Sequence, residues 1–322
     1  MDKIDRKLYT DLKELLSEIK IDFGGGCSFE KAYIMAWLIA NFKLKSTVDI
    51  GVYRGRSLFS QAIAHKRFSN GIVYGIDPWD SELARENDNK ELKEAIDDFI
   101  DKTDFSEIGR EVARYNFEKG FNDHCVLIQK KSEDAISQFR DRNVIFDLIH
   151  IDGNHATEIV MKDIELYLPL LAERGFVVLD DISWDSVQPA FNAVSSKYSL
   201  IYKKTDLNKK NDFAIFWNNN NESEVAQIIS TLEDIGNKLE INDLKEYLED
   251  ANVRIQKFED YVRQLQEQIT VTTNVNTNLQ SLVDEIYRSK TYAVSLRLQK
   301  LYLSLIPQNS WIDKKLRKIS SK

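Results

Sequence analysis

The stretch VDIGVYRGRS, residues 48–57, decides the fold of this 322-residue chain. A short apolar run leads into an acid and two glycines, and a helical pattern follows directly. Glycines let a ligand approach the backbone, and a helix N-terminus offers unpaired N–H groups, so this turn is typical of a nucleotide site. Its spacing, D-x-G-x-x-x-G-x-S, departs from the G-x-G-x-x-G pattern of dinucleotide sites.

A ligand without a pyrophosphate, such as S-adenosylmethionine, fits this turn better than a dinucleotide does. The next apolar run ends at Asp77, where a carboxylate can accept two hydrogen bonds from ribose hydroxyls. The turn and this acid together predict a cofactor site made of Asp49, Gly51, Gly55, Ser57 and Asp77.

From residue 28 to about 218, short β-branched runs alternate with helical stretches. This alternation predicts an α/β fold with a doubly wound, mostly parallel, seven-stranded sheet. The predicted strands are Thr47–Ile50, Ile72–Ile76, Cys125–Gln129, Phe146–Ile151, Phe176–Leu179, Ser199–Tyr202 and Phe213–Trp217. Only a polar loop separates the last two, so they are expected to end the sheet as an antiparallel hairpin. The charged insert at 81–122 is expected to form helices that cover the site.

Acids follow two neighbouring strands of the predicted sheet. Asp152 follows the fourth strand, and Asp180 and Asp181 follow the fifth, so all three should meet in one crevice. Crowded carboxylates repel one another unless a cation lies between them, and oxygen ligands favour Mg²⁺, with Mn²⁺ or Ca²⁺ as alternatives. His155 is placed to remove a proton from a substrate hydroxyl. His150 lies inside the strand and is interpreted as a packed core histidine.

In these motifs, residues 28–217 resemble a class I S-adenosylmethionine-dependent methyltransferase. More narrowly, they resemble the metal-dependent sugar O-methyltransferases typified by macrocin O-methyltransferase. The match is carried by the 49–57 turn, by the I-D-G-x-H segment at 151–155 and by the acid pair at 180–181. The resemblance implies Asp152, Asp180 and Asp181 as metal ligands, His155 as the base, and Ser132 and Glu133 near adenine. Asp152 is also counted among the cofactor-binding residues.

The resemblance therefore implies S-adenosylmethionine- and metal-dependent O-methylation of a sugar hydroxyl, in polysaccharide or O-antigen assembly or chain termination. A small-molecule O-methyltransferase of the catechol or natural-product kind is the alternative. A nicotinamide-dependent oxidoreductase is disfavoured, because the G-x-G-x-x-G pattern is missing. A non-catalytic scaffold with a methyltransferase-like binding module is the third alternative, which the retained acids and His155 disfavour.

Charge is distributed unevenly along the chain, whose net charge is −8. Residues 288–322 carry nine Lys or Arg and one acid, so the remaining residues carry a net charge of −16. The acidic body is expected to repel nucleic acid, and the basic amphipathic tail is expected to contact an anionic membrane surface or a membrane-bound partner. Two cysteines, no apolar run long enough to span a bilayer and no signal-like start predict a cytoplasmic protein, peripheral on the membrane.

A heptad pattern follows the four asparagines at 218–221. Twelve of fourteen a and d positions between Ile241 and Ile286 are apolar, with Asn276 at one a position. β-Branched residues at a and leucine at d favour a parallel dimer. The predicted organisation is an N-terminal helix (1–27), a methyltransferase domain (28–220), a helical coiled coil (221–287) and the basic tail (288–322). A long helix folded back on the domain is the alternative to the coiled coil.

Overall fold

The computed structural model describes residues 3–22, 26–85, 93–205, 212–305 and 314. The strands are Ser46–Ile50 (β1), Ile72–Ile76 (β2), Cys125–Ile128 (β3), Phe146–Ile151 (β4), Leu171–Asp180 (β5), Ser199–Lys204 (β6) and Phe213–Trp217 (β7). The α-helices are Lys3–Glu18 (α1), Phe29–Phe42 (α2), Arg56–Ala64 (α3), Lys93–Asp101 (α4), Phe105–Glu118 (α5), Ser132–Asp141 (α6), Thr157–Tyr167 (α7), Gln188–Ser195 (α8), Glu222–Arg288 (α9) and Lys290–Leu305 (α10).

All seven strands form one sheet in the order β3-β2-β1-β4-β5-β7-β6. The first five strands are parallel to one another, and β7 pairs antiparallel with both β5 and β6. The predicted doubly wound, mostly parallel sheet is therefore confirmed, as is the antiparallel hairpin at its end. From β1 the strand order runs one way to β2 and β3 and the other way to β4 and β5. Open α/β sheets bind ligands at the carboxyl ends of the strands where the order reverses, here between β1 and β4.

Helices cover both faces of the sheet because the inner strands are apolar on both sides. On one face, Leu148 and Phe176 pack in a core with α1, α2 and α3. On the other face, Ile149 and Val177 pack in a second core with α6, α7 and α8. Neighbouring residues of one strand point to opposite faces, so both cores are fixed by the same short runs.

The compact units of the structure do not coincide with the predicted domains. The chain divides into compact units at Met1–Ile241 and Asn242–Lys322, whereas the predicted domain covers 28–220. The first turns of α9 belong to the sheet domain because Ile228, Leu232 and Leu239 are buried in its first core. Helix α1 joins the same core through a row of leucines that includes Leu8 and Leu12.

Two helices, α4 and α5, lie in the predicted covering insert at 81–122, of which residues 86–92 lie outside the described residues. Phe99 of α4 and Phe105 of α5 bring their rings to 6.4 and 6.0 Å from that of Tyr53. Asn154 donates its side-chain N–H to the carbonyl of Arg85. The insert thus reaches the β1 turn and the loop after β4.

The heptad residues belong to the long helix α9. Ten of the twelve apolar a and d side chains are exposed in the single chain, for example Ile255 and Ile269. No described helix combines the length and apolar character that a membrane crossing requires. The prediction for the basic tail stays a prediction, since residues 306–313 and 315–322 lie outside the described part of the chain.

Candidate active site

The turn after β1 is held tightly against the end of β4. Gly51 has φ +88°, and a Cβ there would lie 2.0 Å from the carbonyl oxygen of Asp152. Gly55 has φ +84° and precedes α3, where a Cβ would lie 2.5 Å from the ring of Phe59. Both glycines are therefore required by backbone conformation and by close approach, as the predicted nucleotide-type turn demands.

Asp49 lies beneath this turn and is fully buried. The Ser57 hydroxyl donates a hydrogen bond to Asp49 Oδ2 at 2.7 Å, and His150 Nδ1 lies 2.5 Å from Asp49 Oδ1. Both carboxylate oxygens are thus used inside the protein. These contacts of Asp49 with Ser57 and His150 fix the end of β1 to α3 and β4. They therefore support the predicted cofactor site.

Asp77 lies at the end of β2, beside the same turn. Its Oδ2 accepts the Tyr53 backbone N–H at 2.9 Å, and its Oδ1 accepts the Trp79 backbone N–H at 2.6 Å. Burial raises the pKa of Asp77, although these two hydrogen bonds oppose that rise. Asp77 is thus a half-buried acid, fixed at the edge where the sequence predicts a ribose.

The three predicted metal ligands meet at the ends of β4 and β5, but a lysine joins them. Lys31, on α2, lies with its ammonium against Asp180 Oδ2 and 3.2 Å from Asp152 Oδ2. Its side chain is only 2% exposed. The pattern of acids predicts a cation between these carboxylates, and Lys31 supplies one.

The charges of Lys31, Asp152 and Asp180 shift one another's pKa values. Burial would lower the pKa of Lys31, but the carboxylates of Asp152 and Asp180 outweigh it and hold that pKa well above its usual value. Burial likewise disfavours the charged form of Asp152, yet the Lys31 ammonium holds its pKa below the usual range. Burial and the neighbouring charge of Asp152 raise the pKa of Asp180.

His155 is paired with the third acid. Its Nε2 lies 2.6 Å from Asp181 Oδ2, and its ring packs 4.9 Å from that of Trp184. Asp181 has φ +48°, a conformation that is costly for a residue with a side chain. Such strain is found where a side chain must be aimed, and here it aims the carboxylate at His155. A partly buried histidine that is held by a carboxylate can act as a general base.

The arrangement does not fit a divalent cation bound by Asp152, Asp180 and Asp181 together. An ion between Asp152 and Asp180 would lie roughly 3 Å from the Lys31 ammonium, a repulsion of about 10 kcal/mol at an effective dielectric constant of ~20. Asp181 turns instead to His155. Among the described residues, two other sets of three have donor atoms that lie within 4.8 Å of one another: His150 with Asp152 and Asp180, and Asp152 with His155 and Asp181.

Ser132 and Glu133, which the resemblance places near adenine, open helix α6. The Ser132 hydroxyl donates to Asp163 of α7, and Glu133 forms an ion pair with Lys162. Burial raises the pKa of Asp163 to about 6. The side chains of both predicted residues are thus directed at α7, and a contact with adenine would have to come from their backbone.

Sequence reasoning missed Lys31. The signal for it was present, because Lys31 stands in a helix that is apolar on nearly all sides. A lysine in such a helix is buried, and a buried ammonium requires a carboxylate partner. His150, in contrast, is the packed core histidine that the sequence predicts.

Comparison with known proteins finds one family model that is similar to the central region. Residues 48–182, which contain the turn and all three acids, match the model of a family described as a methyltransferase domain. A search of curated proteins returned no match.

Solved structures of similar chains include an O-methyltransferase from Bacillus cereus in complex with SAH, at 12% identity and a TM-score of 0.43. That alignment covers 67% of this chain and 91% of the other. The O-methyltransferase TomG from Streptomyces achromogenes, involved in tomaymycin synthesis and solved with SAM, is 13% identical, with a TM-score of 0.44 and coverages of 67% and 90%. At these scores the structural likenesses add no argument of their own. The family model therefore places the similarity to a methyltransferase domain at residues 48–182, from within β1 to just after β5.

Proposed function

We propose that this protein transfers a methyl group from S-adenosylmethionine to a hydroxyl of a sugar. The observation that carries the proposal is the pairing of His155 with Asp181 beside the β1 turn. An imidazole held by a carboxylate suits removal of a proton from a weakly acidic alcohol. The resemblance to sugar O-methyltransferases favours a sugar over a catechol or another small alcohol, because it implies His155 of the I-D-G-x-H segment as the base.

Each residue of the site has a role in this reaction. The Gly51–Gly55 turn would hold S-adenosylmethionine, and Asp77 would bind its ribose. The acceptor oxygen attacks the methyl carbon, the carbon–sulfur bond breaks, and its electron pair stays on the sulfur of S-adenosylhomocysteine. The hydroxyl proton passes to the His155 imidazole, which Asp181 holds in place and stabilises as an imidazolium.

Calorimetry with S-adenosylmethionine and with NAD tests the cofactor. We expect the full-length protein to bind S-adenosylmethionine, and Asp77→Ala to weaken that binding at least ~10-fold through loss of the ribose contacts. An Asp80→Ala variant, changed three residues further on, should bind normally. Binding of NAD instead, or of neither compound, would contradict the proposal.

A panel of acceptors tests the substrate class. Methyl transfer from labelled cofactor is measured on nucleotide sugars, soluble glycans, catechols and lipid-linked glycans in anionic vesicles. Turnover on the sugars but not on catechols is expected. A preference for the lipid-linked glycan would support the wider proposal of a role in polysaccharide assembly, in which the basic tail contacts the anionic surface.

Metal-assisted transfer is the second candidate. It is favoured by the donor atoms of Asp152, His155 and Asp181, which lie within 4.8 Å of one another. A cation there would lower the pKa of a bound hydroxyl, but it would occupy His155. EDTA separates the two candidates: unchanged turnover supports His155 as the base, and loss that Mg²⁺ restores supports the metal.

The apolar seam of α9 is proposed to pair with a second copy of this chain in a parallel coiled coil. Ten of its twelve apolar a and d side chains are exposed in the single chain, which is costly unless a partner covers them. Asn276 at an a position can fix the register of such a pair.

Sedimentation equilibrium of the full-length protein should give twice the mass of the chain. Ile255→Asp places a charge in the seam and is expected to give monomers that keep cofactor binding, whereas Gln256→Asp, outside the seam, should stay dimeric. A monomeric wild-type protein, or an Ile255→Asp dimer, would contradict the pairing.

A further inference from the structure

The Lys31 ammonium lies where the acids of β4 and β5 would otherwise hold a cation. It touches Asp180 and lies 3.2 Å from Asp152, and its side chain is 2% exposed. Lys31 is on α2, Asp180 ends β5, and Asp152 is in the loop after β4. The lysine is separated from Asp152 by 121 positions in the chain and from Asp180 by 149. Three separate elements therefore converge on one buried charge cluster.

The helix that carries Lys31 is anchored. The Ser28 hydroxyl caps α2 by accepting the Lys31 backbone N–H at 3.1 Å. Next to it, Glu30 is bound by the Tyr202 hydroxyl and by Lys204 of β6. Most of the helix that follows, residues 32–36 and 38–40, is buried as well. The lysine is thus delivered to the carboxylates by a fixed helix rather than by a mobile loop.

We propose that Lys31 is the resident cation of this site and takes the place of a divalent metal between Asp152 and Asp180. Its single positive charge keeps the two carboxylates together at the ends of their strands. It is a positioning residue, because it reaches the reaction through these acids. An ammonium and a divalent ion cannot share this position, since both would have to lie between the same two carboxylates.

This inference rests on the proposed function only for the statement that the site carries out methyl transfer. Its test measures metal binding and requires no turnover. Mn²⁺ binding is measured by electron paramagnetic resonance on the full-length wild type, on Lys31→Met and on each with Asp180→Asn. Methionine keeps much of the length of lysine but carries no charge. We expect Lys31→Met to gain Mn²⁺ binding at least ~10²-fold tighter than the wild type, because removing the ammonium leaves two facing carboxylates without a cation.

The dependence on Asp180 distinguishes this site from the group of Asp152, His155 and Asp181. Asp180→Asn should abolish the binding gained by Lys31→Met and leave any binding by the wild type unchanged. The proposal is overturned if Lys31→Met gains no Mn²⁺ affinity, or if Asp180→Asn removes Mn²⁺ binding from the wild type. Lys204→Met, which removes a lysine–glutamate pair on the same helix start, is the matched control and should gain nothing.

Thermal unfolding gives a second readout. Mn²⁺ should raise the Tm of Lys31→Met, and EDTA should reverse that rise, whereas neither should shift the wild type by the same amount. If Lys31→Met fails to fold, the double variant Lys31→Met/Asp180→Asn should fold, because it leaves the single carboxylate of Asp152 in place of two that repel each other. If the double variant also fails to fold, Lys31 acts by packing and the proposal is wrong.

Discussion

Replacing His155 with alanine is expected to lower the rate of methyl transfer by ~10²–10⁴-fold, the usual contribution of a general base. The loss should appear in kcat, because His155 takes the proton only as the acceptor oxygen attacks. The affinity for S-adenosylmethionine should stay within a few fold, since the Gly51–Gly55 turn and Asp77 are unchanged. Single-turnover transfer of a labelled methyl group at saturating cofactor measures the effect directly.

Two variants make this result specific. Asp181→Asn keeps the shape of the side chain that lies 2.6 Å from His155 Nε2 but removes its charge, so it should lower kcat in the same direction. His124→Ala removes a histidine that contacts the carbonyl of Gly71, away from the crevice, and should leave kcat unchanged. A loss below tenfold in His155→Ala would place the base elsewhere.

Replacing Gly51 with alanine is expected to lower the free energy of unfolding by roughly 3 kcal/mol or more, a large part of the total stability of a typical domain. The new Cβ would lie 2.0 Å from the carbonyl oxygen of Asp152, so the main chain itself would have to move. The left-handed φ of +88° adds a further cost for any residue with a Cβ. Urea unfolding, followed by circular dichroism, measures the loss.

Gly153 provides the matched control, because it lies in the same crevice one residue after Asp152. A Cβ at Gly153 would have its nearest neighbours at 3.7 Å, an ordinary contact distance. Gly153→Ala should therefore change the free energy of unfolding by less than about 1 kcal/mol. Equal losses in the two variants would show that the close approach of the β1 turn to β4 is unimportant for stability.

The strands were predictable because each is a short run of apolar residues bounded by polar ones. The structure extends only β5 appreciably, from a predicted start at Phe176 to Leu171. The meeting of Asp152 and Asp180 was predictable for a related reason, since neighbouring parallel strands end at the same edge. The local sequence pattern and the sheet topology together were therefore enough to predict the strands and the meeting of these two acids.

Contacts between distant elements were harder to predict. Nothing in the pattern of α2 says which acids its lysine meets, because the answer depends on how the helix packs across the sheet. The extent of the compact unit Met1–Ile241 was hard to predict for the same reason. Helix α9 is uninterrupted, and only packing shows that Leu232 belongs to the core and Ile255 does not. The asparagines at 218–221 mark the start of that helix rather than the end of the domain.

The position of β7 determines the order in which the sheet can be completed during translation. This strand is the last to be synthesised, yet it lies between β5 and β6 and holds both. A nascent chain that has not yet exposed residues 213–217 therefore has an open edge at β5 and has no strand to which β6 can attach. Residues 213–217 must therefore have left the ribosome before the sheet can be completed.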